Sequence, residues 1–188
     1  MPRLIFITHP EVEVDPNREI SDWGLSEEGR RRATIFARSD VFASATHVWS
    51  SPEMKAHQTA AILSAPKRLP ISVNSCLREN DRSATGFLPP LEFEAAANAF
   101  FSEPETSFRG WETAVDAQAR VEGAVRQIVA THSGEDLAIV AHGAVGTLLW
   151  CSLRGVPIDG KYDQPSQGHY WAADITALRP DTRWLPIA

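Results

Sequence analysis

Arg3-Leu4-Ile5-Phe6-Ile7-Thr8-His9-Pro10-Glu11 is the stretch from which the fold is read. Leu4 to Ile7 are four apolar residues, two of them β-branched, with no apolar/polar alternation. They predict a short strand buried on both faces, as in a parallel sheet. Thr8 and His9 then fall at its carboxyl end, where open α/β sheets bind ligands, and Pro10 ends the strand by removing a backbone donor. A histidine in that place can be a nucleophile, a general base, a metal ligand or a side chain making one hydrogen bond. The stretch alone does not choose among these.

Outward from it, Leu137-Ala138-Ile139-Val140-Ala141 is the clearest buried strand, and it too ends in a histidine, His142, followed by Gly143 and an apolar helix to about Leu153 that Gly155 and Pro157 terminate. Short strands are expected over 47–50, 71–73 and 169–175, with 184–187 completing the core. Ser26 caps a helix running to about Ser39, with acidic residues in its first turn. Ser51 as cap and Pro52 at the first helical position open a second helix. Helical patterns return over 91–101 and 111–131. Alternating strands and helices imply a mostly parallel central sheet with helices on both faces. If the two histidine-bearing strands are neighbours, their imidazoles converge. Lys55, within about one turn of its helix start, and Glu79, after the third strand, reach the same crevice. The least regular passage, 80–110, reads as an insertion over the active face that shapes substrate access.

The chain has 188 residues, 43% of them hydrophobic and 22% charged, which suits one soluble globular domain. A net charge of −6 argues against a nucleic-acid or anionic-membrane binder. Cys76 and Cys151 lie far apart and lack metal-ligand spacing, which suits a reducing compartment. The N-terminus enters a strand almost at once, without a signal-peptide pattern, and 137–153 is too short and interrupted to span a bilayer. A cytoplasmic location is therefore expected. From Glu11 to Glu28 only Arg18 answers seven acidic residues; the segment reads as a solvated loop, or as one placed beside the pocket to disfavour highly anionic substrates. Trp23, Trp111 and Trp171 read as packing residues.

Two histidines, a cation and a carboxylate suit phosphoryl transfer. One imidazole attacks phosphorus, the other and the cation stabilise the equatorial oxygens, and a carboxylic acid protonates the leaving oxygen. At this point the chain resembles the histidine phosphatase superfamily, or phosphoglycerate-mutase-like family, in motifs taken in order along nearly its whole length. Thr8-His9-Pro10-Glu11 stands for Arg-His-Gly-Glu, and Leu25-Ser26-Glu27-Glu28-Gly29 for Leu-Thr-x-x-Gly. Ser50-Ser51-Pro52-Glu53-Met54-Lys55-Ala56-His57-Gln58-Thr59-Ala60 stands for Ser-Ser-Pro-x-x-Arg-Ala-x-x-Thr-Ala. Leu77-Arg78-Glu79 matches Leu-x-Glu, Gly110-Trp111-Glu112-Thr113 echoes Gly-Glu-Ser, and Val140-Ala141-His142-Gly143 matches Val-x-His-Gly. The resemblance implies a three-layer α/β sandwich, no cofactor and no metal, and a phosphorylated small-molecule or phosphoprotein substrate. It implies His9 as phosphohistidine, Glu79 as proton donor and His142 on the transferring oxygens. Gly143 after the second histidine is similar to the mutase-and-small-phosphatase branch, which leaves the donor role with Glu79.

Two substitutions depart from that pattern. Thr8 stands where the family places its main phosphate arginine, and Lys55 where it places the second; neither offers a bidentate fork. Three readings follow: a slower phosphatase, an enzyme for a less anionic substrate such as a phosphodiester or phosphoramidate, or a degenerate module that binds a phospholigand without turnover. Arg78 or Arg82 could replace the missing arginine in space. Mutase activity suits so short a chain less well. The sequence leaves the substrate's identity and the oligomeric state open.

Overall fold

A computed structural model describes residues 1–188. Its strands are β1 (Arg3–Thr8), β2 (Ala45–Ser50), β3 (Ile71–Val73), β4 (Asp136–Ala141), β5 (His169–Asp174), β6 (Arg179–Pro180) and β7 (Leu185–Pro186), with helices α1 (Glu27–Phe36), α2 (Met54–Ser64), α3 (Pro90–Ser102), α4 (Ala114–Thr131) and α5 (Gly143–Arg154) between them. They form one seven-stranded sheet in the order β3-β2-β4-β1-β5-β6, with β7 also on β5. The four strands β3, β2, β4 and β1 are parallel; β5 turns antiparallel to β1 and carries β6 and β7 antiparallel to itself. The sheet is thus mixed α/β, with its parallel half holding both histidine-bearing strands side by side.

The unalternating apolar run of β1 is explained by a core on each face. Leu4 and Phe6 join the larger cluster with α4 and α5, while Ile5 and Ile7 join a second cluster with α1 and α2. All four are at most 1% exposed, and burying each such side chain contributes about 1.5–3 kcal/mol. Phe6 also stacks on Trp171, with centroids 5.1 Å apart.

Two helix starts differ from expectation. Ser51-Pro52 does not open α2, which begins at Met54 after Glu53. Ser51 N–H instead extends the sheet by donating to Val140 O, and its Oγ is held by His142. Likewise α4 begins at Ala114, because Thr113 is the residue whose hydroxyl accepts from Asp116 N. Ser26 caps α1 as read, accepting from Gly29 N. Gly29 is required there by packing: an added Cβ would lie 2.2 Å from the Glu11 carbonyl oxygen. No helix is long and apolar enough to cross a membrane.

Candidate active site

The carboxyl ends of β1, β4 and β2 are stitched together by backbone bonds from His9 N to Ala141 O and from Ser51 N to Val140 O. This places the His9 and His142 rings edge to face, 5.3 Å apart. His9 borders a cavity of about 440 Å³ that Lys55, Glu79, Asn80 and Arg82 also line.

The proton of His9 is positioned by the residue after it. Nδ1 lies 2.9 Å from Pro10 O; a carbonyl only accepts, so Nδ1 carries the hydrogen and Nε2 carries the lone pair. Burial is the main influence on its pKa, lowering it to about 4 against the opposing pull of the Pro10 carbonyl; Lys55 lowers it further. At neutral pH His9 is an unprotonated imidazole with a defined tautomer.

Glu79 sits at the amino end of α5. Its Oε1 accepts from Val145 N at 3.2 Å and Asn80 N at 3.1 Å, and its Oε2 accepts from Ala144 N at 3.4 Å. Helix amides favour the charged carboxylate, yet burial, with Glu53 nearby adding to it, raises the Glu79 pKa overall against Arg82 and these hydrogen bonds. The group therefore holds a proton more readily than an ordinary glutamate.

Glu53 is the residue that sequence reasoning missed. It occupies a free position of the α2 motif and carries no pattern signal, but its buried carboxylate meets Lys55 Nζ at 2.5 Å, His142 Nε2 at 3.3 Å and Glu79 N at 2.8 Å. Burial alone pushes its pKa up; His142, Lys55 and the Glu79 amide outweigh that and bring it to about 2. His142 is fully buried, and burial drives it well below the ordinary imidazole value despite Glu53. Lys55 is consequently the standing counter-charge of Glu53. His142 Nε2 lies 2.8 Å from Ser51 Oγ and 3.3 Å from Glu53 Oε1, and its Nδ1 is buried with no hydrogen-bond partner in the protein.

The two positions where the motif departs have specific surroundings. Thr8 is fully buried and does not line the cavity; its Oγ1 donates to Gln164 Oε1 at 2.7 Å and accepts from His169 N at 2.9 Å. Lys55 reaches the cavity, but its ammonium is held by Glu53 and by Ile20 O at 2.8 Å. Arg78 turns toward Glu112, 3.8 Å away. Arg82 is the cavity's other cation. It makes no ion pair and lies over the rings of Phe93 and Trp111, at 5.0 and 5.7 Å. Beside it Asn80 is 5% exposed, and its Nδ2 has no hydrogen-bond partner.

The acidic segment after His9 packs differently from a plain solvated loop. Its apolar residues Val12, Val14, Ile20 and Trp23 line the cavity, whereas none of its carboxylates does. Trp23 and Trp111, read as packing residues, are cavity walls as well. No group of three or more His, Cys, Asp or Glu side chains has the geometry to hold a metal ion.

Comparison with known proteins bears on the family and the fold. The family model described as the histidine phosphatase superfamily (branch 1) matches residues 4–178. A phosphoserine phosphatase 1 of Hydrogenobacter thermophilus is 25% identical over 166 residues, covering 84% of this chain and 79% of its own. A glucosyl-3-phosphoglycerate phosphatase of Mycolicibacterium vanbaalenii is 27% identical over 171 residues, covering 84% and 76%. Among solved structures, a mycobacterial glucosyl-3-phosphoglycerate phosphatase in complex with inorganic phosphate superposes with a TM-score of 0.82 at 22% identity, covering 100% of this chain and 99% of that one. The α-ribazole phosphatase of Shigella flexneri superposes with a TM-score of 0.71 at 22% identity, covering 97% and 95%. At these identities the solved structures support the fold.

Proposed function

The chain belongs to the histidine phosphatase superfamily, and from that premise we propose that it is a phosphomonoesterase acting through a phosphohistidine on His9, without a metal. The observation that carries this reading is the Nδ1–H of His9 held on Pro10 O, which leaves a neutral Nε2 for in-line attack. Nε2 forms a bond to phosphorus as the ester P–O bond breaks, and the departing oxygen takes the proton of Glu79. Water then attacks phosphorus, the P–N bond breaks back onto Nε2, and Glu79, now a carboxylate, takes the water's proton. One phosphate and one alcohol leave, and both residues return to their starting protonation states.

The charge on the transferring group is met by a rearranged cradle. Arg82 supplies the planar fork that the family places at the positions of Thr8 and Lys55, and Asn80 Nδ2 supplies a second donor. His142, expected on the transferring oxygens, is fully buried and outside the cavity lining; with its ring 5.3 Å from that of His9 and its Nε2 held by Ser51 and Glu53, it supports the nucleophile from behind. Thr8 acts indirectly, by holding Gln164 over Gly143; an added Cβ on that glycine would come 2.4 Å from Gln164 Nε2. Lys55 keeps Glu53 ionised. Residues 1–188 act as one domain, in which 80–110 supplies both Arg82 and the access to the site.

The test is turnover of 4-nitrophenyl phosphate with and without chelator, and in His9→Ala. The expected outcome is chelator-insensitive hydrolysis and a ³²P-labelled, acid-labile protein adduct, both lost in His9→Ala. Wild-type turnover by His9→Ala would sink the mechanism. No turnover, with phosphate or vanadate still bound, would assign the fold to phospholigand binding instead.

A further inference from the structure

We infer that the substrate is the monophosphate of an apolar, aromatic-bearing alcohol, carrying no second anionic group. This rests on the phosphatase reading above and names its substrate class. Phosphoserine and glucosyl-3-phosphoglycerate, which the names of two relatives give, each carry a carboxylate beside the phosphate, and this cavity offers such a group no free cation.

The first ground is a charge inventory. Only Lys55 and Arg82 among the cavity walls are cations. Lys55 is paired with Glu53 at 2.5 Å, and Arg82, which has no carboxylate partner, lines the same cavity as His9 and Glu79. Once a phosphate holds Arg82, no cation remains for a carboxylate elsewhere on the substrate. Placing an unpaired anion in such a cavity costs far more than a missing hydrogen bond.

The second ground is the wall away from His9. Trp23, Phe87, Phe93, Phe100, Phe101 and Trp111 all line the cavity, drawn from the loop after β1, from the coil before α3, from α3 and from the coil before α4. At the mouth, Trp23 and Phe87 lean together with centroids 6.0 Å apart, while Phe87 and Phe93 remain 37% and 39% exposed. Partly exposed aromatic rings converging on one concavity mark a binding surface. Offset and edge-on packing between such walls favours a flat ring as guest. Of the other polar side chains lining the cavity, Gln164 is bonded to Thr8 and Asp163 to Thr147. A volume of about 440 Å³ admits a phosphate and a one- or two-ring group, at the lower end of small-molecule sites.

Aryl esters react faster than alkyl esters on any phosphatase, so the test uses primary-alcohol esters of matched reactivity: ethyl phosphate, 2-phenylethyl phosphate and O-phosphoserine. We expect kcat/KM for 2-phenylethyl phosphate to exceed that for ethyl phosphate by roughly 10- to 100-fold, the factor given by burying one aromatic ring, with O-phosphoserine at or below ethyl phosphate. Phe87→Ser is expected to shrink the phenylethyl-to-ethyl ratio severalfold. A ratio near one, or a preference for O-phosphoserine, would overturn the assignment. If no ester is hydrolysed, the phosphatase reading fails separately. Calorimetric binding of 2-phenylethylphosphonate against ethylphosphonate then decides the substrate class: a preference of tenfold or more upholds it, and equal binding refutes it.

Discussion

Removing the guanidinium of Arg82 tests whether the phosphate grip has moved within the site. In Arg82→Ala the cavity loses its one cation without a carboxylate partner. A preorganised donor aimed at developing charge is worth about 3–4 kcal/mol, so kcat/KM toward 4-nitrophenyl phosphate should fall roughly 10²- to 10³-fold. Stability should hardly move: the side chain is half-buried, makes no ion pair, and touches the rings of Phe93 and Trp111. Losing those contacts costs about 0.5–1 kcal/mol each, or a few degrees in Tm for a chain of this size. Arg82→Lys keeps a charge over the rings but no fork, and should fall between wild type and alanine. Steady-state kinetics give the rate, inhibition by vanadate the grip, and differential scanning fluorimetry the fold. Arg82→Ala turning over within about threefold of wild type, with unchanged vanadate inhibition, would refute the reasoning.

Other outcomes follow from the same contacts. Lys55→Ala should act mainly on stability, because it leaves the buried Glu53 carboxylate without its ammonium; a loss of about 3–5 kcal/mol should appear as a marked drop in Tm, partly restored in the double variant Lys55→Ala/Glu53→Gln. The kcat/KM–pH profile should rise near pH 4, where His9 loses its proton, and fall as Glu79, whose pKa is raised by burial, loses its own; Glu79→Gln should abolish the falling limb. The same His9 shift acts on folding in a defined direction. An unfolded imidazole takes a proton near 6.5 and the native one only near 4, so this group's contribution is intact above pH 6.5 and lost as pH falls toward 4, on the order of 3 kcal/mol in denaturant titrations. Gly29→Ala, whose Cβ would sit 2.2 Å from Glu11 O, should cost about 1–3 kcal/mol by displacing α1 from the strand-end loop, read as a lowered urea midpoint. Thr8→Arg alone should gain no rate because Gln164 occupies its exit; Thr8→Arg with Gln164→Gly should raise vanadate affinity if the family cradle can be rebuilt.

The parallel half of the sheet was legible because Leu4–Ile7 and Leu137–Ala141 each face two cores, which removes alternation and leaves an unbroken apolar run. The pairing of His9 with His142 followed from the same fact, since parallel neighbours bring equivalent strand ends together. The helix starts at Met54 and Ala114 differ from expectation for separate reasons: Ser51 N–H joins the sheet while its Oγ is shared between His142 and the Glu53 amide, and Thr113 is the residue that caps α4. The role of Glu53 was illegible for a different reason. Its partners Lys55, Glu79 and His142 are set by packing across 2, 26 and 89 positions of chain, and a lone glutamate in a variable motif position carries no periodic signal of such contacts.

Those contacts give the substitution at Thr8 a physical account. The family pattern places a phosphate arginine at the rigid end of a central strand. Here that corner is filled by a neutral bond from Thr8 to Gln164, the second cation is neutralised by Glu53, and the available guanidinium comes from the coil after β3, stacked on two aromatic rings. A cation carried by a coil, rather than by a strand end, depends on those two rings for its order. That order is reinforced when the leaving group packs against the same rings that hold Arg82. Phosphate binding and recognition of an apolar alcohol are then coupled through one segment, and a substrate without the ring should lose kcat as well as affinity.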